Sequence, residues 1–280
     1  MTKQHATRIA FIGAGNMARS LIGGVLQHGF VPAQVTATDP NPAQRAALEQ
    51  AFSIRTGDDN VAAAEDADVV VFAVKPQVMR DAVRAVAPTL ARTRPLVVSI
   101  AAGIAEPDIR RWLGYDAAIV RVMPNTPALL GCGASALFAN RFVAPAQREL
   151  AMHLLEAVGI ALWLEDEQLM DAVTAVSGCG PAYFFLLMEA MQHAAEQLAL
   201  PADTARRLIA QTALGAARMA SVEGADAATL RRQVASPGGT TEAALKVLQA
   251  AEFETLVLRA LRAARDRGIA LSREFGGDAT

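Results

Sequence analysis

The segment 13–18, Gly-Ala-Gly-Asn-Met-Ala, carries two glycines spaced by one residue and an alanine three further on. It follows a short apolar run (8–12, RIAFI) and leads into a helix-like stretch closed by Gly29. That spacing suits a phosphate. Gly13 permits a tight turn, Gly15 lets the backbone approach an oxyanion, and Ala18 keeps the helix close to the strand. The first helical amides, including those around Asn16 and Met17, then face the charge. In a strand–helix–strand setting the pattern points to a dinucleotide rather than to a glycine turn without a ligand.

Asp39 closes the second apolar run, where a carboxylate would bind the adenosine ribose hydroxyls and favour NAD over NADP. Arg45, one turn into the next helix, could instead meet a 2′-phosphate, and Asn41 and Gln44 are neutral donors nearby. Asp39 could also do no more than cap the turn before Pro40. The sequence leaves NADPH and NADH both open. Val74-Lys75-Pro76 and Ala101-Ala102-Gly103 end two further apolar runs, and in an open parallel sheet ligands sit outside such ends. Both segments, together with Asn60, are expected at the cofactor. Lys75 could equally be a solvated loop lysine.

Three glycine- and proline-rich segments interrupt the apolar sequence: 123–127 (MPNTP), 177–183 (SGCGPAY) and 236–241 (SPGGTT). The last leads directly into a helix near Thr241. Unpaired amides at a helix start, flanked by threonine hydroxyls, make an anion receptor suited to a carboxylate. An ordinary capped helix reads equally well from this segment alone.

Other reactive side chains are scarce. Lysine occurs only at 3, 75 and 246, tyrosine at 115 and 183, and histidine at 5, 28, 153 and 193. No Tyr-x-x-x-Lys pair exists, so the acid of short-chain dehydrogenases is missing. Cys132 and Cys179 are too few and too isolated for a disulfide framework or a zinc site, and no metal is expected. A net charge of −2 provides no field for nucleic acid or an anionic membrane. The polar first eight residues lack a signal-like apolar core, so a cytoplasmic location is expected.

The elements that must position these residues fall into two kinds. Hydrophobic residues make up 52% of the chain, enough for a substantial core. Apolar runs at 8–12, 34–39, 68–74, 95–101 and 117–123 alternate with helical stretches, which implies a parallel sheet covered on both faces. Runs at 134–139 and 161–164 could extend it, in part antiparallel. Beyond Leu164 the pattern is helical only, at 181–199, 202–222, 226–234, 241–250 and 252–274. The expected fold is α/β: a Rossmann-type, mostly parallel sheet domain over 1–164, then an all-α domain over 165–280. Helices apolar on more than one face suggest a homodimer through the second domain.

The segments FIGAGNMA, AVKPQ, SIAAGI, VRVMPNTPALL, DAVTAVSGCGPAYFF and SPGGTTEAAL together resemble the pyrroline-5-carboxylate reductase family, in order from about residue 8 to 250. The family often has serine where this chain has Cys179, a nearly isosteric change. The resemblance implies reduction of 1-pyrroline-5-carboxylate to L-proline by NADPH or NADH, the last step of proline biosynthesis. It implies that Gly239, Thr240 and Thr241 hold the substrate carboxylate, that Thr241 approaches the ring nitrogen as the catalytic residue, and that Glu167 and Gln233 lie near. It further implies dimers through interlocked helical domains, sometimes assembled into rings of dimers. A cyclic imine reacts as its iminium and brings its own proton, so a site poor in His, Lys and Tyr is consistent with the chemistry. Two other readings are a 3-hydroxyacid or 6-phosphogluconate-type dehydrogenase, whose helical lysine and asparagine are lacking at 177–183, and a dinucleotide-binding regulator without turnover.

Overall fold

The computed structural model describes residues 7–277 apart from Glu223 and Ala225. Its centre is an eight-stranded sheet: β1 (Ile9–Ile12), β2 (Val35–Thr38), β3 (Arg55–Gly57), β4 (Val69–Phe72), β5 (Leu96–Ser99), β6 (Ile119–Met123), β7 (Gly133–Ala139) and β8 (Gly159–Trp163). The spatial order is β3-β2-β1-β4-β5-β6-β7-β8. The strands from β1 to β6 pair in parallel, β7 runs antiparallel to β6, and β8 is parallel to β7. The strand order reverses between β1 and β4, the point at whose carboxyl ends open parallel sheets ordinarily bind ligands.

Strands buried on both faces explain the unbroken apolar runs. All four residues of β1 and of β4 are buried. Along β1 the side chains alternate, so Ile9 and Phe11 join one core cluster while Ala10 and Ile12 join the other. The helix α1 (Asn16–Gln27) covers the first face with Ala18, Leu21, Ile22 and Val25. α2 (Pro42–Phe52) adds Leu48 to that face; on the second face α3 (Asn60–Glu65) contributes Ala64, and α4 (Pro76–Thr93) lays down Met79, Val83, Val86 and Leu90. That stripe has the 3–4 spacing of one helix side. The helices α5 (Glu106–Leu113) and α6 (Pro145–Glu156) complete the layers.

The short β3 and α3 carry no long periodic signal and escape a reading by pattern. α3 is set by its cap: the Asp59 carboxylate accepts from the amides of Val61 and Ala62.

Two compact units divide the chain, one reaching Cys179 and resuming at Ala263, the other spanning Gly180–Arg262. Into the end of the first run α7 (Met170–Val173) and a π-helical turn over Thr174–Gly178. The second holds α8 (Gly180–Gln197), α9 (Ala202–Ala220), α10 (Ala227–Val234), α11 (Thr240–Ala250) and the start of α12 (Phe253–Gly276). The end of α12 belongs to the first unit. There the Arg111 guanidinium donates to the Gly276 carbonyl at 2.6 Å, Phe275 packs against the second core cluster, and a Cβ on Gly268 would lie 3.2 Å from the Asp171 carboxylate.

Candidate active site

The glycine turn lies at the reversal point of the sheet. Gly13 adopts φ +105°, and a Cβ there would lie 2.5 Å from the Ala73 carbonyl at the end of β4. Only glycine lets the chain leave β1 beside that strand. Gly15 differs. It is the N-cap of α1 at φ −73°, and a Cβ there would meet nothing within 4 Å. The fold does not require a glycine at 15, so its value is the open space over the helix start. No side chain caps α1 and no acidic residue occupies its first turn, which leaves the opening amides available to an anion.

Asp39 reaches back to this turn. One carboxylate oxygen accepts from the Ala14 amide at 3.0 Å and the other from the Asn41 amide at 2.8 Å. The Arg45 guanidinium folds onto the same bend, donating to the Asp39 carbonyl at 2.7 Å and the Pro40 carbonyl at 3.3 Å. Asn60 opens α3 and accepts from the buried Thr38 hydroxyl at 2.6 Å, which brings it to the end of β2. Lys75 is the N-cap of α4 without a side-chain cap bond, and Pro76 follows at the first helical position. Ala101 is buried behind β5, while Gly103 adopts φ +73°, and a Cβ there would lie 3.4 Å from the Leu271 side chain of α12. The sheet thus gathers Gly13, Ala14, Gly15, Asn16, Met17, Asp39, Asn60, Val74, Lys75, Pro76, Ala101, Ala102 and Gly103 at its carboxyl edge. Among the described residues no cluster of three or more His, Cys, Asp or Glu side chains is placed to hold a metal ion.

The other candidates divide between the units. Glu167 is tied into the sheet unit, where its Oε1 accepts from Arg121 at 3.0 Å and from the Glu106 amide at 2.7 Å. Arg121 is buried on β6, and Asn140 donates to the Glu106 carboxylate at 2.7 Å beneath it. In the helical unit, Gln233 lies exposed in the last turn of α10. Gly239 caps α11, which Thr240 and Thr241 open. The amides of Thr240, Thr241 and Glu242 have no intrahelical acceptor, as at any helix start. The loop before them is pinned: the Gly239 amide donates to the Ser236 carbonyl at 3.0 Å and the Gly238 amide to Glu242 at 2.6 Å.

Two of the glycine–proline segments meet. Residues 177–179 lie in or just beyond the π-helical turn, where the Cys179 amide donates to the Thr174 carbonyl at 2.8 Å. A Cβ on Gly178 would fall 2.3 Å from the Met123 methyl. Asn125, itself buried, donates to the Ser177 carbonyl at 3.0 Å and accepts from the Ala134 amide at 2.8 Å. These clasping roles of Asn125, Arg121 and Glu242 escape sequence reasoning. Only Glu242 leaves a signal, an acid three residues after a helix cap.

Comparison with known proteins fits this geometry. Residues 8–103 match the family described as NADP oxidoreductase, coenzyme F420-dependent, and residues 167–271 match pyrroline-5-carboxylate reductase dimerisation. A pyrroline-5-carboxylate reductase of Pseudomonas aeruginosa is 56% identical over 96% of this chain and 98% of its own. The chain belongs to the pyrroline-5-carboxylate reductase family. A solved reductase of that name from Coxiella burnetii superposes with a TM-score of 0.91 at 42% identity, covering 96% of this chain and 99% of the other. A Plasmodium falciparum pyrroline carboxylate reductase with NADP bound gives 0.85 at 27% identity, covering 96% and 99%.

Proposed function

We propose that this chain reduces the C=N bond of 1-pyrroline-5-carboxylate to give L-proline, using NADPH or NADH. The observation that carries the reading is near-full-length identity of 56% to a pyrroline-5-carboxylate reductase. When bound, the reduced nicotinamide supplies a hydride to the imine carbon.

The residues of this chain do the binding and orienting. The uncapped start of α1, above Gly13 and Gly15, suits a pyrophosphate. Asp39 and Asn60 suit the adenosine ribose, and Arg45 is the cation on that bend for a 2′-phosphate. Val74, Lys75 and Pro76 with Ala101, Ala102 and Gly103 line the strand ends beyond. In the helical unit, the free amides at Thr240 and Thr241 with Gly239 hold the substrate carboxylate, and Gln233 borders them. The substrate arrives protonated at nitrogen, so after hydride addition that nitrogen keeps its proton as a neutral amine. Thr241 accepts a hydrogen bond from that N–H and fixes its direction; no strong protein acid is needed. In the sheet unit, Glu167 holds Arg121 and the start of α5.

The same reading includes a homodimer through the helical unit, with rings of dimers as a further assembly. Phe184, Phe185 and Leu186 on α8 are more than 60% exposed. The stretch Glu167–Gln197 is long and apolar enough to cross a membrane by length and composition. Its place inside the matched dimerisation region favours partner helices as its cover. Light scattering at the mass of a single chain would remove the dimer.

Oxidation of NADPH and of NADH, each with and without 1-pyrroline-5-carboxylate, tests the activity. A rate that rises with this substrate and yields proline is expected. Turnover of a 3-hydroxyacid instead would overturn the reading.

A further inference from the structure

The loop assigned to the substrate carboxylate has an acid beside it. Glu242, in the first turn of α11, takes the Gly238 amide on one oxygen at 2.6 Å and the Lys246 ammonium on the other at 3.0 Å. Gly238 sits at φ +70°, a conformation that favours glycine, and the next amide is fixed on Ser236. Two successive amides are therefore turned inward, and those of Thr240 and Thr241 are left for a ligand. The acceptor that does the pinning is nevertheless an anion within one turn of an anion receptor. Left uncompensated, it would repel a carboxylate substrate. Lys246, the single lysine beyond Lys75, stands one helical turn on and holds the acid from the far side.

We propose that Glu242 and Lys246 act together as positioning residues: the carboxylate fixes the loop through Gly238, and the ammonium cancels the charge that this places beside an anionic substrate. This rests on the reading of Gly239, Thr240 and Thr241 as the carboxylate receptor. The two roles separate by substitution. Glutamine at 242 keeps an oxygen for the Gly238 amide but loses the charge, whereas alanine loses both. The charge acts on substrate affinity. The hydrogen bond acts on the geometry of reduction.

The test is KM for 1-pyrroline-5-carboxylate and kcat in wild type, Lys246→Met, Glu242→Gln, Glu242→Ala and the double variant Glu242→Gln/Lys246→Met. Lys246→Met is expected to raise KM about two- to fivefold, the scale of an exposed charge interaction, with kcat held. The double variant is expected to return KM to within about twofold of wild type. Glu242→Ala is expected to lower kcat well below the Glu242→Gln value. Lys246→Gln repeats the charge removal should the methionine variant fold poorly, and melting temperature and the KM for NADPH report on folding in every variant. A double variant with KM as high as Lys246→Met, or an unchanged KM in Lys246→Met, overturns the pairing. A wild type indifferent to 1-pyrroline-5-carboxylate overturns the functional reading itself, and the pair's role with it.

Discussion

The Asp39 carboxylate receives the Ala14 amide at 3.0 Å, so the end of β2 clamps the turn that leaves β1. An acid at this position is ordinarily considered for its contact with ribose. Here it also holds the backbone that must approach the pyrophosphate, and its second oxygen holds Asn41. Affinity and turn geometry are therefore coupled in one side chain.

Asp39→Ala should act on both. Loss of two charge-assisted hydrogen bonds is expected to cost about 1–3 kcal/mol of stability, or about 2–12 °C in melting temperature for a chain of this size. The KM for NADH should rise more than that for NADPH, because the ribose diol loses its acceptor while a 2′-phosphate keeps Arg45. Calorimetry and paired cofactor kinetics check this. A variant that melts like wild type would show that the clamp is dispensable.

The two glycines of the turn should respond oppositely. Gly13→Ala drives a methyl into the Ala73 carbonyl at positive φ and is expected to destabilise the chain by about 3 kcal/mol or more. Gly15→Ala meets no protein atom, so its melting temperature should stay within about 1 °C of wild type. Its cofactor KM should nevertheless rise about tenfold or more, since the methyl stands where phosphate oxygens approach. Equal thermal losses in both variants would contradict the ligand role of Gly15.

Thr241→Ala should lower kcat by about 10–100-fold while cofactor dissociation changes less than about twofold, and Thr241→Ser should recover most of the activity. Fluorescence titration with NADPH beside steady-state rates separates the two effects. A parallel loss of both would make the residue structural.

The family resemblance implies that Glu167 lies near the substrate, and its carboxylate is engaged with Arg121 and the Glu106 amide. Arg121→Met leaves that acid without its buried partner and should cost about 3–5 kcal/mol. Glu167→Gln should lower the melting temperature with little change in substrate KM. A raised KM without thermal loss would make the residue a direct substrate contact.

Much of this arrangement is legible in the sequence because it depends on local pattern. Four buried residues in β1, followed by Gly13 and Gly15, announce a buried parallel strand and its turn. The 3–4 spacing of Met79, Val83, Val86 and Leu90 announces α4. The pattern at 134–139 shows a strand but not its direction, so the antiparallel pairing of β7 with β6 is set by the fold. What stays hidden depends on long-range partners. Nothing around Asn125 says that it will hold Ser177, and nothing around Gly178 names the Met123 methyl that excludes a side chain there. β3 and α3 are missed for a different reason. They are too short for periodicity to accumulate, and Asp59 declares its helix only through a cap.

The last helix has a consequence for synthesis. Because α12 returns to the sheet unit, with Phe275 on its core and Arg111 bonded to Gly276, that unit is discontinuous in the chain. Domains ordinarily fold as they emerge, amino-terminal part first. Here the Rossmann half leaves the ribosome unfinished, and its seam closes only after the segment from Ala263 onward has been made. Nascent chains arrested before residue 263 should accordingly be cut by protease at the α5 edge more readily than released ones, and equal resistance would show that the seam closes without α12.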